Sequence, residues 1–197
     1  MRPLVFVWPY ALLFWVVYVW AFYPEFALVA KAQRTVAQNK AKDAGSLQFI
    51  LMGMWVGLFL SFPLAFVRTF RFPPAWNLPA FWSGTALLIA GSLLRRHCFK
   101  TLGEHFTGDV QAKADQPVIT RGAYRWVRHP SYTGGIVMFA GIGIALSSWA
   151  SSVILLLTAI VVYSYRVRVE ERALVQTIGE PYVAYMKTHK RFVPFVI

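Results

Sequence analysis

Long apolar runs separated by short polar segments dominate the pattern of this chain. A helix needs about 20 mostly apolar residues to cross the hydrocarbon core of a bilayer. Five runs are candidates for such spans, at residues 4–29, 48–67, 78–94, 131–148 and 150–165. The pattern therefore predicts an all-α protein, a polytopic transmembrane helical bundle of about five spans.

The last two runs are nearly continuous, and Ser147, Ser148 and Trp149 form the plausible turn between them. We expect a tight helical hairpin here; the alternative is a count of four spans with this pair fused into one. The first run is long and lacks a small-residue cleavage site at its end, so we expect a retained span rather than a signal peptide.

Composition agrees with a lipid environment. Hydrophobic residues make up 57% of the chain and charged residues 14%, whereas soluble domains carry about 25% charge. Aromatic residues cluster near the ends of apolar runs, where amphipathic rings favour the membrane interface. The single cysteine excludes an intrachain disulfide, and no Cys/His cluster has zinc spacing, so we expect no metal.

The basic residues predict an orientation. If the N-terminus is outside, every Lys and Arg except Arg2, Arg68 and Arg71 lies in a cytosolic segment, as the positive-inside rule requires. We therefore expect the N-terminus outside and the C-terminus inside, in the plasma membrane if the source is prokaryotic. The net charge of +12 then suits anionic lipid headgroups, and no nucleic-acid motif is present.

Two polar segments, 95–130 and 166–197, share the cytosolic side and flank the hairpin. The hairpin brings their ends together, so a site built between them lies at the membrane surface. They contain all four histidines and most of the acidic residues. We expect a cytosolic cofactor pocket formed by the 95–130 loop and the C-terminal helix.

The densest polar stretch precedes the fourth span. Gly122 allows the chain to turn, and Pro130 suits the first turn of a helix. Arg128, His129 and Tyr132 are thereby placed at the cytosolic mouth of that span, where a helix N-terminus favours a carboxylate or phosphate. The alternative is that the arginine only sets topology and the histidine only caps the helix.

The second stretch follows the fifth span. Arg166 and Glu170 are four residues apart and share one face of a continuous helix. An unpaired charge at this depth is costly. Either Arg166 snorkels and pairs with Glu170 in place, or it orients an anionic substrate group while Glu170 holds a cationic one.

Together these stretches resemble the isoprenylcysteine carboxyl methyltransferase family of membrane methyltransferases. The resemblance rests on motifs in the second half of the chain, at residues 101–107, 118–132, 170–171, 178–185 and 191–194. The first half, including the basic loop at 31–42, matches no motif of that family. We treat residues 1–197 as a single domain whose catalytic half is 95–197.

The resemblance implies an enzyme that transfers a methyl group from S-adenosylmethionine to a lipophilic acceptor, most closely the carboxylate of an isoprenylcysteine, leaving S-adenosylhomocysteine. It implies catalytic roles for Arg166 and Glu170. The residues that it implies around the cofactor are Gln111, Val118, Ile119, Tyr124, Arg128, His129, Tyr132, Glu170 and Glu171. The first three of these form the loop that would close over adenosine.

Methyl transfer from a sulfonium depends mainly on alignment and exclusion of water. A carboxylate acceptor needs no base, whereas an amine or thiol acceptor would need one, with His129 or Glu171 as candidates. The alternative functions are a phospholipid N-methyltransferase and an NADPH-dependent reductase of the sterol-reductase type, although reductases place an acidic residue where this chain has Gly134 and Gly135. A non-enzymatic lipid-binding scaffold is the remaining alternative.

Overall fold

The structure is a computed structural model that describes residues 2–36, 45–103 and 117–193, and for residues 27–36 the backbone alone. Within these ranges the chain forms six α-helices joined by turns and short 3-10 segments. They are α1 (Tyr10–Val36), α2 (Ser46–Leu64), α3 (Asn77–Leu102), α4 (Pro130–Ala145), α5 (Trp149–Ile178) and α6 (Glu180–Thr188). The predicted all-α fold is confirmed.

Length and hydropathy make several of these helices able to cross a membrane. Among the described residues, α2, α3 with its preceding turn, and α5 are long and apolar enough, and α1 and α4 contain shorter apolar helical segments. Large apolar side chains such as Trp55 and Phe59 point outward, at 69% and 78% exposure. The protein is therefore a multi-pass membrane protein whose outer surface suits lipid.

Several helix ends differ from the predicted spans. The first helix begins at Tyr10 rather than at residue 4, because the chain first forms a 3-10 turn over Leu4–Phe6 that ends at the extended residue Val7. The third and fifth runs continue as helices far beyond their apolar parts. They end only at Gly103 and Gly179, whose positive φ angles of 55° and 76° stop a helix at low cost.

The hairpin between α4 and α5 is confirmed, and the four-span alternative is wrong. The chain reverses over residues 146–148, where Ser147 has a positive φ of 54°. The Ser148 hydroxyl then accepts a hydrogen bond from the Ser151 amide at 3.3 Å and caps α5. The hairpin brings the start of α4 beside the polar half of α5.

Backbone contact joins α3 and α4. A Cβ atom on Gly91 would lie 2.5 Å from the carbonyl oxygen of Gly134, and one on Gly84 would lie 2.5 Å from that of Gly141. Glycine at these positions permits the close approach that is common between membrane helices. Gly134 therefore meets the backbone of α3.

At Gly57 and Gly135 the neighbouring helix contributes a side chain rather than backbone, whereas Gly143 of α4 meets the backbone of α5 at Ser152. A Cβ atom on Gly57 of α2 would lie 2.9 Å from the Thr158 side chain of α5, and one on Gly135 of α4 would lie 2.4 Å from the Tyr163 hydroxyl. Gly134 and Gly135 stand where reductases place an acidic residue, and both pack against neighbouring helices.

A buried ion pair ties α1 to α3. Arg95 was expected in a cytosolic loop, but it lies within α3 and is only 7% exposed. Its guanidinium donates two hydrogen bonds to the Glu25 carboxylate, one of them at 2.6 Å, and a third to the Ser131 carbonyl at 2.8 Å. The pairing offsets the cost of burying both charges.

Candidate active site

Glu171 is the centre of a buried ion cluster at the polar end of the bundle. Its side chain is 4% exposed and accepts from two arginines that come from different segments. Arg128 donates to its Oε1 at 2.8 and 3.0 Å, and Arg191 donates to its Oε2 at 2.8 and 3.1 Å. The Nε2 of His129 lies 3.2 Å from the same Oε1. One carboxylate thus joins the segment before α4, helix α5 and the segment after α6.

The arginines hold Glu171 ionised. Burial acts to raise the pKa of this carboxyl, but hydrogen bonds from His129, Arg191 and Arg128 outweigh it and hold the pKa at about 2, below the ordinary value of 4.5. A carboxylate this acidic is a poor proton acceptor at neutral pH. Glu171 therefore organises the site and is unsuited to act as a base.

Arg128 is committed to contacts inside the protein. Besides its bonds to Glu171, its Nη1 donates to the carbonyl oxygens of Met186, at 3.0 Å, and of His189. Every nitrogen of the guanidinium therefore donates to a protein acceptor. Arg128 lies beside the predicted site residue His129, and its side chain fastens α6 to the start of α4; its contact with the cofactor stays a prediction.

His129 precedes α4, yet its side chain does not cap the helix. Its backbone carbonyl accepts from the amides of Tyr132 and Thr133, while its imidazole turns to Glu171 and stacks on the Tyr132 ring with centroids 5.8 Å apart. His129 is the N-cap residue of α4, as the alternative interpretation has it, but the cap is made by its backbone carbonyl and not by its side chain. Pro130 occupies the first turn of α4, as predicted.

A line of hydrogen bonds runs from Ser46 of α2 through Arg166 of α5 and Tyr132 of α4 to Glu170, also of α5. The Tyr132 hydroxyl donates to the Glu170 carboxylate at 2.6 Å and lies 3.4 Å from the Nε of Arg166. The Arg166 Nη1 donates in turn to the hydroxyl of Ser46, the first residue of α2. A cation and a carboxylate are thus held on either side of one phenol, and Arg166 is only 3% exposed.

The remaining predicted residues lie at different distances from this cluster. Tyr124 is buried in a 3-10 turn that begins at Gly122, whose φ of 62° confirms the predicted turn. Burial raises the pKa of Tyr124, and its hydroxyl lies near Cys98 of α3. Val118 and Ile119 are half-buried before this turn, and their role stays a prediction. Gln111 lies outside the described residues.

Three contributors were missed by the sequence reasoning. Ser46 lies in the half of the chain that carries no recognisable motif, and nothing in its neighbourhood marks it. Arg191 and Tyr185 belong to the quoted motifs, but no role had been assigned to them. The Tyr185 hydroxyl donates to the backbone carbonyl of Tyr124 and so anchors α6 against the 3-10 turn.

Comparison with known proteins identifies the relatives of this arrangement. Residues 84–176, which include α4, most of α5 and the residues 128–132, match the model of the isoprenylcysteine carboxyl methyltransferase (ICMT) family. The family resemblance predicted from the sequence is thereby confirmed. A protein-S-isoprenylcysteine O-methyltransferase of Tribolium castaneum is 28% identical over 180 residues, which are 88% of this chain and 62% of the relative.

Other relatives agree. Protein-S-isoprenylcysteine O-methyltransferase B of Arabidopsis thaliana is 30% identical over 57% of this chain and 58% of its own length. A solved structure of the eukaryotic intramembrane Ras methyltransferase ICMT superposes with a TM-score of 0.62 at 28% identity, covering 72% of this chain and 52% of that one. The matched part of the chain thus spans about half the length of these relatives, and no more than 62% of it.

Removing the charge of Glu171 should destabilise the protein in a pH-dependent way. Because its pKa is about 2 in the folded state and about 4.5 otherwise, Glu171→Gln should lower the free energy of unfolding by about 3 kcal/mol at pH 7. The carboxylate contributes above pH 4.5 and loses its contribution as the pH falls through 2. Thermal unfolding in detergent at neutral pH and at about pH 3 measures both effects.

The matched control is Glu180→Gln, since Glu180 is 81% exposed and faces Lys187 at 3.9 Å. An exposed pair of this kind contributes little. Equal melting temperatures for wild type and Glu171→Gln at neutral pH would contradict the central role of Glu171.

Proposed function

We propose that the protein is an integral membrane methyltransferase that transfers the methyl group of S-adenosylmethionine to the carboxylate of a lipophilic, isoprenylcysteine-like acceptor. The observation that carries this proposal is the placement of Arg166 and Glu170 on either side of the Tyr132 hydroxyl. The names of the relatives support the same activity, and the match to the ICMT family covers these residues.

Arg166 is the acceptor-side group. It is buried on α5, close to where the helix leaves the apolar part of the bundle, and a planar guanidinium binds a carboxylate well. Ser46 and Tyr132 hold it from two sides. An acceptor carboxylate carried on an apolar chain would meet a fixed cation at this depth.

Glu170 is the donor-side group. Its carboxylate is half-buried and bonded to Tyr132, and it offers a partner for the ammonium of S-adenosylmethionine. The rings of His129, Tyr132 and Tyr163 lie in a row, with neighbouring centroids 5.8 and 5.1 Å apart. Aromatic faces suit a sulfonium as they suit other cations, and they exclude water. These residues therefore fit the methyl donor.

The donor supplies an electrophilic methyl group, which is displaced in line by an acceptor oxygen and leaves a neutral thioether behind. The protein's part is to align the two ligands and keep water away. No protein base is needed, since a carboxylate acceptor is ionised at neutral pH.

The state of the two candidate bases favours a carboxylate over an amine or thiol acceptor. Glu171 has a pKa of about 2, and the Nε2 of His129 is engaged by Glu171 itself. Glu171 is therefore unsuited to take a proton from an acceptor, and the Nε2 of His129 is occupied by that carboxylate. This arrangement supports carboxyl O-methylation rather than phospholipid N-methylation.

The site faces the cytosol in this proposal, with the N-terminus outside. The 128–132 segment, the end of α5 and α6 gather at the same end of the bundle as most of the basic residues, whereas the Ser147 turn contacts the opposite loop through a bond to the Phe72 amide. Basic flanks stay on the cytoplasmic side. For a prokaryotic source the membrane would be the plasma membrane.

Cofactor binding tests the donor side. We expect purified wild-type protein to bind S-adenosylhomocysteine saturably in isothermal titration, and Glu170→Gln to weaken binding at least about tenfold through loss of a charge-assisted contact. Glu180→Gln, which changes an exposed carboxylate on α6, should bind like wild type. Absence of binding by the wild type, or binding of NADPH in its place, would overturn the proposal.

Turnover tests the acceptor side. Arg166→Gln should reduce methyl transfer to a farnesylcysteine with a free carboxylate at least about a hundredfold, because a buried charged contact to the acceptor is lost. Binding of S-adenosylhomocysteine should change little. Arg168→Gln, an exposed arginine on the same helix, is the control. Undiminished turnover in Arg166→Gln would remove this residue from the acceptor site.

Labelling tests the orientation. Glu180→Cys places a thiol on the exposed start of α6, whereas the native Cys98 is buried. A membrane-impermeant maleimide should label the introduced thiol in inside-out vesicles and leave it unlabelled in intact cells. Labelling in intact cells would place the site on the outer side of the membrane.

A further inference from the structure

Tyr182 has a buried hydroxyl with no hydrogen-bond partner among the described residues. The residue is only 5% exposed. Burying an unpaired hydroxyl is costly, and most buried polar groups in native proteins are satisfied. An orphaned hydroxyl beside a substrate site is therefore a candidate ligand contact.

Its position points to the donor side of the site. Tyr182, Tyr185 and Met186 share one face of α6, at spacings of three and four residues. Tyr185 is bonded to the Tyr124 carbonyl, and the Met186 carbonyl accepts from Arg128, so this face is packed onto the site. The Tyr182 hydroxyl is on the same face, and the charges of Glu170, Glu171 and Arg128 act on its pKa.

The amino-acid end of the methyl donor needs such a contact. Glu170 can pair with the ammonium, but Arg128, one of the residues that the resemblance implies around the cofactor, already donates from each guanidinium nitrogen to Glu171 or to a backbone carbonyl. Burial raises the pKa of Tyr182, so its hydroxyl keeps its proton and stays a donor at neutral pH. A phenol can also accept a hydrogen bond from an ammonium.

We infer that the Tyr182 hydroxyl binds the amino-acid end of S-adenosylmethionine, beside Glu170. The inference rests on the proposed function and adds a contact that the family resemblance had not assigned. Tyr182 is a binding residue here and takes no part in the transfer itself.

The test pairs two tyrosines of α6 that differ in their partners. Tyr182→Phe removes an oxygen that has no protein partner among the described residues, so the melting temperature should stay at or above that of wild type, while the Kd for S-adenosylhomocysteine should rise about tenfold or more. Tyr185→Phe removes a bond to the Tyr124 carbonyl, so it should lower the melting temperature instead.

A truncated ligand locates the contact. 5′-Methylthioadenosine lacks the amino-acid end, and its affinity, measured by competition, should be the same for wild type and Tyr182→Phe. Equal losses for both ligands would place the effect elsewhere and overturn the inference. A second measurement keeps the hydroxyl in place. With 3-fluorotyrosine at position 182, the ¹⁹F resonance should shift on addition of S-adenosylhomocysteine, and an unmoved resonance would also overturn the inference.

The outcomes separate this inference from the proposed function. If wild type binds S-adenosylhomocysteine and Glu170→Gln does not, but Tyr182→Phe binds like wild type, the Tyr182 contact fails alone. If wild type binds no S-adenosylhomocysteine, both proposals fail.

Discussion

The Glu171 carboxylate holds together three segments that are distant in the sequence. Arg128 reaches it from the start of α4 and Arg191 from the segment after α6, and the backbone follows the same pairing, with the amides of Arg128 and His129 donating to the carbonyls of Lys190 and Arg191. A buried carboxylate with two arginine partners is stable only while both remain in place. The geometry of His129 and Tyr132, and with them that of Glu170, depends on this cluster.

The two adjacent glutamates of α5 make different contacts because their side chains point to different neighbours. Glu171 faces inward, and two arginines balance its negative charge. Glu170 is half-buried and bonded to the Tyr132 phenol. Glu170 is the one that the proposed function assigns to a cationic ligand. The structural carboxylate and the carboxylate of the proposed donor site are thus separated by a single step along the helix, which turns the side chains about 100° apart.

The sequence predicted the parts of the fold that follow from transfer of apolar segments into lipid. Runs of apolar residues locate the spans, and Ser147 to Trp149 locates the hairpin, because each rests on local chemistry. The same reasoning missed the ends of α3 and α5, which continue as helices until Gly103 and Gly179. An apolar run marks where a helix lies in lipid, and it does not mark where the helix ends.

Within the site, the sequence allowed the positions of the side chains to be predicted but not their hydrogen-bond partners. The spacing of Arg166 and Glu170 placed them on one face, but the Tyr132 hydroxyl lies between them and Ser46 comes from a helix without motifs. Likewise, Arg128 reads as a ligand contact in the sequence and serves Glu171 in the fold. Such partners are chosen by packing between residues far apart in the chain, and a single sequence does not display that packing.

The helix pairs of the bundle differ in what lies between them, and α3 and α4 meet along a line of glycines that includes Gly84, Gly91, Gly134 and Gly141. Where backbone touches backbone, as at Gly91 and Gly134, neither helix can slide without a collision that no rotamer change relieves. Between α2 and α5 the contact at Gly57 is with the side chain of Thr158, which can rotate. The helix pair that brings Ser46 to Arg166 is thus held at Gly57 by a side chain that can adjust, and not by backbone pressed on backbone.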